Sequence, residues 1–339
     1  MTEARQGSAA AGRSRLALVT GGAGFIGSHL VDALVSTGVT VRVLDDLSSG
    51  RRENLERAAG KVEFVEGDIQ NPSCVRKACD GVDLVFHLAA VGSVPRSMKD
   101  PAHTLSVNVG GTANVLTGAR DAGARRVVYA SSSSVYGDSE TLPKREGEEG
   151  RPLSPYALSK WMNEELAAVF ARCYGMELIG LRYFNVFGPR QLSDGPYAAV
   201  IPRLFKACLQ GESPVIYGDG EQSRDFTFVA DAVQANLLAA SAPASACGEA
   251  YNVAGGCGVT VNDLATAVLE IVGKGQPPRH EASRPGDIRH SLADLTRVRA
   301  ELGYEPAMDL RRGLERARDY YAKLNETVAA GKQAQEAGL

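Results

Sequence analysis

The chain has 339 residues, 44% hydrophobic and 23% charged, with a formal net charge of -3. That length allows two unequal lobes, and the near-balanced charge, without a basic run or a polyacidic tail, argues against a nucleic-acid surface or a solvating arm. No stretch is long and apolar enough to span a bilayer, and the opening MTEARQGSAAAGRSR lacks the apolar core of a secretory signal.

Residues 1–13 are small and polar and are expected as a disordered lead. Strands are expected at 16–20 (LALVT), 39–44 (VTVRVL), 61–65 (KVEFV), 84–88 (LVFHL), 126–130 (RVVYA) and 178–183 (LIGLRY). Helical spacing lies between them at 26–37, 72–79, 104–122 and 156–174. Strands alternating with helices imply right-handed crossovers and a parallel sheet covered on both faces. Beyond residue 185 glycine and proline become frequent, then helices are expected at 229–241, 262–272 and 309–325 and a strand at 250–253. The expected division is a dinucleotide-binding part over 14–184 and about 226–255, a smaller mixed α/β lobe over 185–225 and 256–325, and a polar, frayed tail over 326–339. Six cysteines (74, 79, 173, 208, 247, 257) include no CxxC pair and read as buried, reduced thiols, which makes the cytoplasm the default setting. Five histidines (29, 87, 103, 280, 290) have no metal-ligand spacing, so no metal is expected.

TGGAGFIG joins the first strand to the first helix. Gly21, Gly24 and Gly27 let the backbone approach a pyrophosphate at a helix N-terminus, with Phe25 and Ile26 opening that helix. Asp45 follows Gly24 by 21 residues, at the end of the next strand, where a carboxylate binds the adenosine ribose hydroxyls. It would repel a 2′-phosphate, which favours NAD over NADP; Arg51 and Arg52 nearby are the minority argument for NADP. Asp68, after the third strand, is either an adenine contact or a turn aspartate.

Tyr156 and Lys160 form YxxxK at the start of a helix and share its face. A tyrosine is a poor base at a pKa near 10, and a cationic lysine close by, together with a positive nicotinamide, would stabilise the phenolate and lower that value. The fifth strand runs into SSSSVYG (131–137), which places hydroxyls at the carboxyl end of a sheet strand. Glycine turn, serines and YxxxK helix occur in one consistent order, a conjunction far rarer than any single motif.

On these motifs the chain resembles the extended short-chain dehydrogenase/reductases, specifically the UDP-hexose 4-epimerases, over roughly residues 15–320. The resemblance implies a Rossmann-type sheet with NAD as cofactor. It makes Ser132, four residues before the tyrosine of VYG, the catalytic hydroxyl, Tyr156 the proton acceptor and Lys160 the ribose anchor. It adds cofactor contacts at Asp46, Asp68, Ile69, Ala89, Ala90, Asn108 and Tyr183. For a UDP-sugar it implies Ser93, Ser133, Asn185, Ala199, Val200, Tyr217, Arg224, Arg284 and Asp287. Arginines converging on a diphosphate make charge-assisted, often bidentate bonds. Related dehydratases and decarboxylases carry carboxyl groups where this chain has Ser133 and Ser134, which weakens a lyase reading. Seven residues after Arg284 the family carries a gate beside the C2 substituent of the sugar; here it is the small Ser291, with room for an N-acetyl group. The expectation is therefore a UDP-N-acetylglucosamine 4-epimerase. Plain UDP-hexose and UDP-uronic acid remain as substrates, the latter through Arg289 and His290, and a non-catalytic NAD-binding protein is a third class. Apolar residues beyond one face of the 104–122 and 156–174 helices, with the resemblance, imply a homodimer through a four-helix bundle.

Overall fold

The computed structural model describes residues 16–192, 198–283 and 289–336, with side chains to 326. The strands β1 (Leu16–Thr20), β2 (Thr40–Asp45), β3 (Val62–Glu66), β4 (Leu84–His87), β5 (Arg126–Ser132), β6 (Glu177–Tyr183) and β7 (Glu249–Val253) form one sheet. Its order is β7-β6-β5-β4-β1-β2-β3 and every pairing is parallel. The order reverses between β1 and β4, which opens the crevice where such sheets bind ligands. Helices α1 (Phe25–Ser36), α2 (Pro72–Cys79), α3 (Gly111–Asp121), α4 (Pro155–Tyr174), α5 (Val200–Leu209), α6 (Val229–Ser241), α7 (Val261–Val272) and α8 (Leu310–Glu336) cover the sheet and build the second cluster.

Alternate residues of each strand go to opposite faces, and both faces are buried. Leu18, Leu44, Val85 and Val127 pack with Val75 and Leu116 of α2 and α3. Val19, Val43, Phe86 and Val128 pack with Leu30, Leu34, Ala232 and Ala235 of α1 and α6. A third cluster joins Phe187, Phe205, Phe226, Leu264, Leu314 and Tyr321 around α5, α7 and α8. Beside it lie three two-stranded pieces: Val186–Phe187 with Thr227–Phe228, Ser223–Asp225 with Gly258–Thr260, and Val215–Tyr217 with Arg279–Glu281.

Three expectations need correction. The helix expected over 104–122 is a π-helical turn, Ser106–Gly110, between the short helix Pro101–Leu105 and α3; such bulges place side chains that a regular helix would not. The last helix does not stop near 325 but continues to Glu336, through a sequence with few helix breakers. Not all six cysteines are buried: Cys173, in the last turn of α4, and Cys257, in a glycine-flanked loop, are exposed, and none is in a disulfide. The expected disordered lead lies outside the described residues, as do Arg284 and Asp287. Among the described residues no helix is long and apolar enough to cross a membrane.

Candidate active site

The glycine turn leaves β1 and enters α1 with no room for side chains. Gly21 has φ +69°, and a Cβ there would meet the Ala89 nitrogen at 2.7 Å. A Cβ on Gly27 would stand 2.2 Å from the Gly21 carbonyl oxygen. Gly24 is the N-cap of α1 and no side chain caps that end, so its first N–H groups are left for an anion. The buried Asp45 accepts hydrogen bonds from the backbone of Ala23 and Leu47, each at 2.9 Å, and burial raises its pKa. It therefore fastens the turn to β2 and keeps a lone pair on each oxygen for ribose hydroxyls. A glycine cradle that a Cβ would fill, an uncapped helix and a carboxylate at the end of β2 together fit NAD. Arg52 is held at Glu66, 2.7 Å, and over the Phe64 ring, which leaves it ill-suited to a 2′-phosphate.

The neighbouring loops are assembled mainly by their own bonds. Asp46 accepts from the Ser48 backbone and hydroxyl. Asp68 accepts from the Gln70 backbone and side-chain amide, a turn arrangement, while the adjoining Ile69 packs under Gly111. Asn108, on the π turn, does not present a free amide. Its side chain grips both backbone polar groups of Val91 and donates to the Ser159 hydroxyl at 2.9 Å, which ties the Ala89–Ala90 loop to α4. Ser93 caps the helix Val94–Lys99.

The catalytic candidates meet. Ser132 ends β5 and caps the turn Ser133–Tyr136, with its hydroxyl accepting from the Ser134 backbone and hydroxyl. The Tyr156 hydroxyl lies by Ser132, whose hydroxyl favours its ionised form. Lys160, one turn on, donates to the Ala130 carbonyl at 2.8 Å, and its Nζ lies 6.0 Å from the centre of the Tyr156 ring. Burial pulls the lysine pKa down to about 8, against the opposing charge of Glu164. The part of the expected lowering assigned to Lys160 is not seen in the folded chain. Burial raises Tyr156, and only Ser132 opposes it. Tyr183 faces Ser132 across β5 and β6, but its hydroxyl accepts from Asn236 at 2.7 Å, so it is a packed wall.

On the substrate side, Asn185 is exposed at φ +36° and donates to the Asp225 carbonyl at 2.9 Å. Ala199 and Val200 open α5, again without a side-chain cap. Tyr217 meets the Arg203 guanidinium 5.2 Å from its ring centre. Arg224 lies on the short strand whose neighbour, Ser223, accepts from the Ser291 backbone at 3.1 Å. Ser291 is nearly buried rather than a surface serine. Arg289 is paired with Asp219 at 3.0 Å in an exposed ion pair, and His290 is hydrogen-bonded to the Ser223 hydroxyl at 2.9 Å.

Residues missed from the sequence hold these parts in place. His87 is bonded to Thr20 at 2.7 Å and Thr112 at 2.9 Å; burial, then the Lys160 charge, drops its pKa to about 3. Asp225 is wholly buried and receives the backbone N–H groups of Gly256 and Ala293, and burial lifts its pKa to about 6. A histidine within a strand and an aspartate before FTF give no local signal of such partners.

A dinucleotide cradle beside a serine–tyrosine–lysine set defines a nucleotide-dependent enzyme that oxidises or reduces an alcohol. Residues 17–254 match the model of the NAD dependent epimerase/dehydratase family. The chain is 40% identical over 308 residues to a UDP-glucose 4-epimerase of Mycolicibacterium smegmatis, covering 90% of this chain and 97% of that protein. Two solved structures are each 38% identical: a Thermotoga maritima UDP-glucose 4-epimerase with UDP-glucose (TM-score 0.87, covering 91% and 99%), and a Methanobrevibacter ruminantium UDP-N-acetylglucosamine 4-epimerase (TM-score 0.88, covering 92% and 99%). The chain belongs to the NAD-dependent epimerase/dehydratase family, among its UDP-hexose 4-epimerases, and is a nucleotide-sugar epimerase.

Proposed function

We propose that the chain interconverts UDP-N-acetylglucosamine and UDP-N-acetylgalactosamine at C4 through a 4-keto sugar. The observation that carries the N-acetyl reading is the small, nearly buried Ser291 beside the strand of Arg224. Gly21, Gly24, Gly27, Asp45 and Lys160 would hold NAD, which when bound supplies reversible hydride acceptance at C4. Tyr156 takes the proton of the 4-hydroxyl, and Ser132, next to Tyr156, holds the same oxygen and relays the proton. Asn185, Arg224 and Arg284 retain the diphosphate while the keto sugar turns about it to present its opposite face. Asp287, with Ala199 and Val200, would line the uridine side, and Tyr217 would also contact the substrate. The proposed division is a cofactor part over 14–184 and 226–255 and a sugar-nucleotide part over 185–225 and 256–325.

Purified protein given UDP-GlcNAc, UDP-Glc and UDP-GlcA separately, with products resolved chromatographically, tests this. The expected product is an isomer of UDP-GlcNAc with unchanged mass. Turnover of UDP-Glc or UDP-GlcA alone overturns the N-acetyl reading, and a loss of mass would mark a lyase. Ser291→Tyr should cut turnover of UDP-GlcNAc by roughly tenfold or more while sparing UDP-Glc, since an overfilled pocket excludes the larger substituent. UDP-glucose remains the second reading because relatives named for it are equally similar.

The exposed face of α4 carries Leu158, Trp161, Met162 and Val169 at helical spacing. With the helices at 101–121 it would form a four-helix bundle with a second copy, in the cytoplasm. A monomer by light scattering would remove the dimer from this reading.

A further inference from the structure

Three consecutive residues at the end of β5 are held by three successive turns' worth of α4. Ala130 accepts from Lys160, Ser131 donates to Glu164 at 2.5 Å, and Ser132 lies by the Tyr156 hydroxyl. Glu164 does more than hold Ser131. Its Oε1 also accepts from the Arg182 Nε at 2.9 Å and its Oε2 from Nη2 at 2.7 Å, a two-pronged pair between α4 and β6. Arg182 lies opposite Ser131 in the sheet and reaches on to the Tyr136 hydroxyl at 3.0 Å and to Glu149. Tyr136 closes the turn that Ser132 caps. The pair thus grips the serine turn from both ends. Both side chains are mostly buried, with 7% and 11% of the arginine and glutamate side chains exposed. Burial works against the arginine charge, and Glu164, with Tyr136 and Glu149, more than offsets it.

We propose that Glu164 is a positioning residue. It holds Ser132 in register with Tyr156 by gripping Ser131 and Arg182 together, and its carboxylate stands one helical turn from Lys160 as the counter-charge to that ammonium. The inference rests on the reading of Ser132, Tyr156 and Lys160 as the proton-handling set. The groups acting on Lys160 from around it are few. His87 of β4 is neutral well below pH 7, β5 presents the Ala130 carbonyl, and the π turn presents the uncharged Asn108. Tyr156 and Glu164 lie on its own helix, one turn to either side. Arg182 of β6 is already paired with Glu164. Removing the glutamate charge leaves Lys160 buried without that counter-charge, which disfavours the ammonium form.

Glu164→Gln keeps the shape and one acceptor for Ser131 but removes the charge. Two readings are made: the titration of Lys160 by NMR on ε-13C-lysine-labelled protein, assigned with Lys160→Met, and the pH profile of kcat. The Lys160 midpoint should fall by about one unit, the corresponding limb of the profile should move the same way, and kcat should drop about tenfold or more with little change in KM. If the single variant does not fold, Glu164→Gln with Arg182→Gln removes the stranded guanidinium as well and gives the same readings. An unmoved Lys160 midpoint overturns the proposal, because a merely structural glutamate would lower only the melting temperature. Wild-type turnover by Tyr156→Phe overturns the catalytic reading beneath it, whatever the Lys160 midpoint does.

Discussion

The two sides of the crevice are built on different principles. The cofactor side is made by long parallel strands, and its key atoms are placed by backbone: a positive-φ glycine, an uncapped helix and a carboxylate that receives two N–H groups. The substrate side has strands of two or three residues, held by single side chains. Asp225 clasps the loops at Gly256 and Ala293, while its own carbonyl receives Asn185. A sheet of seven strands spreads strain over many bonds; a clasp concentrates it in one carboxylate. The cofactor side should therefore fail through sterics, and the substrate side through the loss of a single polar group.

The sharpest break is at the chemistry between the two sides. Tyr156→Phe should lower turnover by about 1000-fold or more with nucleotide-sugar binding retained, measured by chromatography and calorimetry side by side. Wild-type turnover would remove Tyr156 from the mechanism. Gly27→Val tests the steric side. Its Cβ would fall 2.2 Å from a carbonyl oxygen, so the variant should lose copurifying dinucleotide, read from released cofactor absorbance. Retention at wild-type stoichiometry would mean the turn is not the cradle. Asp225→Ala tests the clasp. It strands buried N–H groups at roughly 1–3 kcal/mol each, so unfolding should come earlier in urea and KM should rise more than kcat falls. An unchanged KM would show that the clasp does not set the substrate side.

The smallest expected effect is on stability against pH. His87 has a folded pKa of about 3, below its unfolded value of about 6.5. As pH falls below that unfolded value, the unfolded chain takes up the proton first. The contribution of His87 is thus complete above about pH 6.5 and is lost as pH falls towards 3, amounting to about 2 kcal/mol at pH 5. Urea unfolding of the wild type and of His87→Gln at pH 7 and pH 5 measures it. Equal pH slopes for the two would mean that His87 is not held neutral by burial.

Much of the cofactor side was legible in the sequence because its rules are local. LALVT, VTVRVL and RVVYA are near-continuous apolar runs, the pattern of strands buried on both faces, and the structure makes each a strand. The YxxxK motif opens its helix as expected, with Ser154 as the cap and Pro155 as the first residue. The rest depends on partners distant in the chain. Arg182 in LIGLRY reads as one polar residue in a strand, yet it answers Glu149 and Glu164. The π turn at Ser106–Gly110 looks helical in periodicity, and its function shows only when Asn108 meets Val91. Helical spacing brings Lys160 and Tyr156 to one face but does not show that the lysine donates to Ala130 or that burial raises the tyrosine pKa.

The path of the chain to β7 has a consequence for synthesis. After β6 ends at Tyr183 the chain makes the short strands, α5 and α6 before Glu249 returns to pair with Ile179. Until that return, the long edge of β6 is open, with a row of unpaired backbone groups beside Leu178, Ile179 and Leu181. A chain released or cut between the two strands would carry a sticky apolar edge. Fragments ending before residue 249 should therefore aggregate, whereas those reaching past residue 253 can close the sheet.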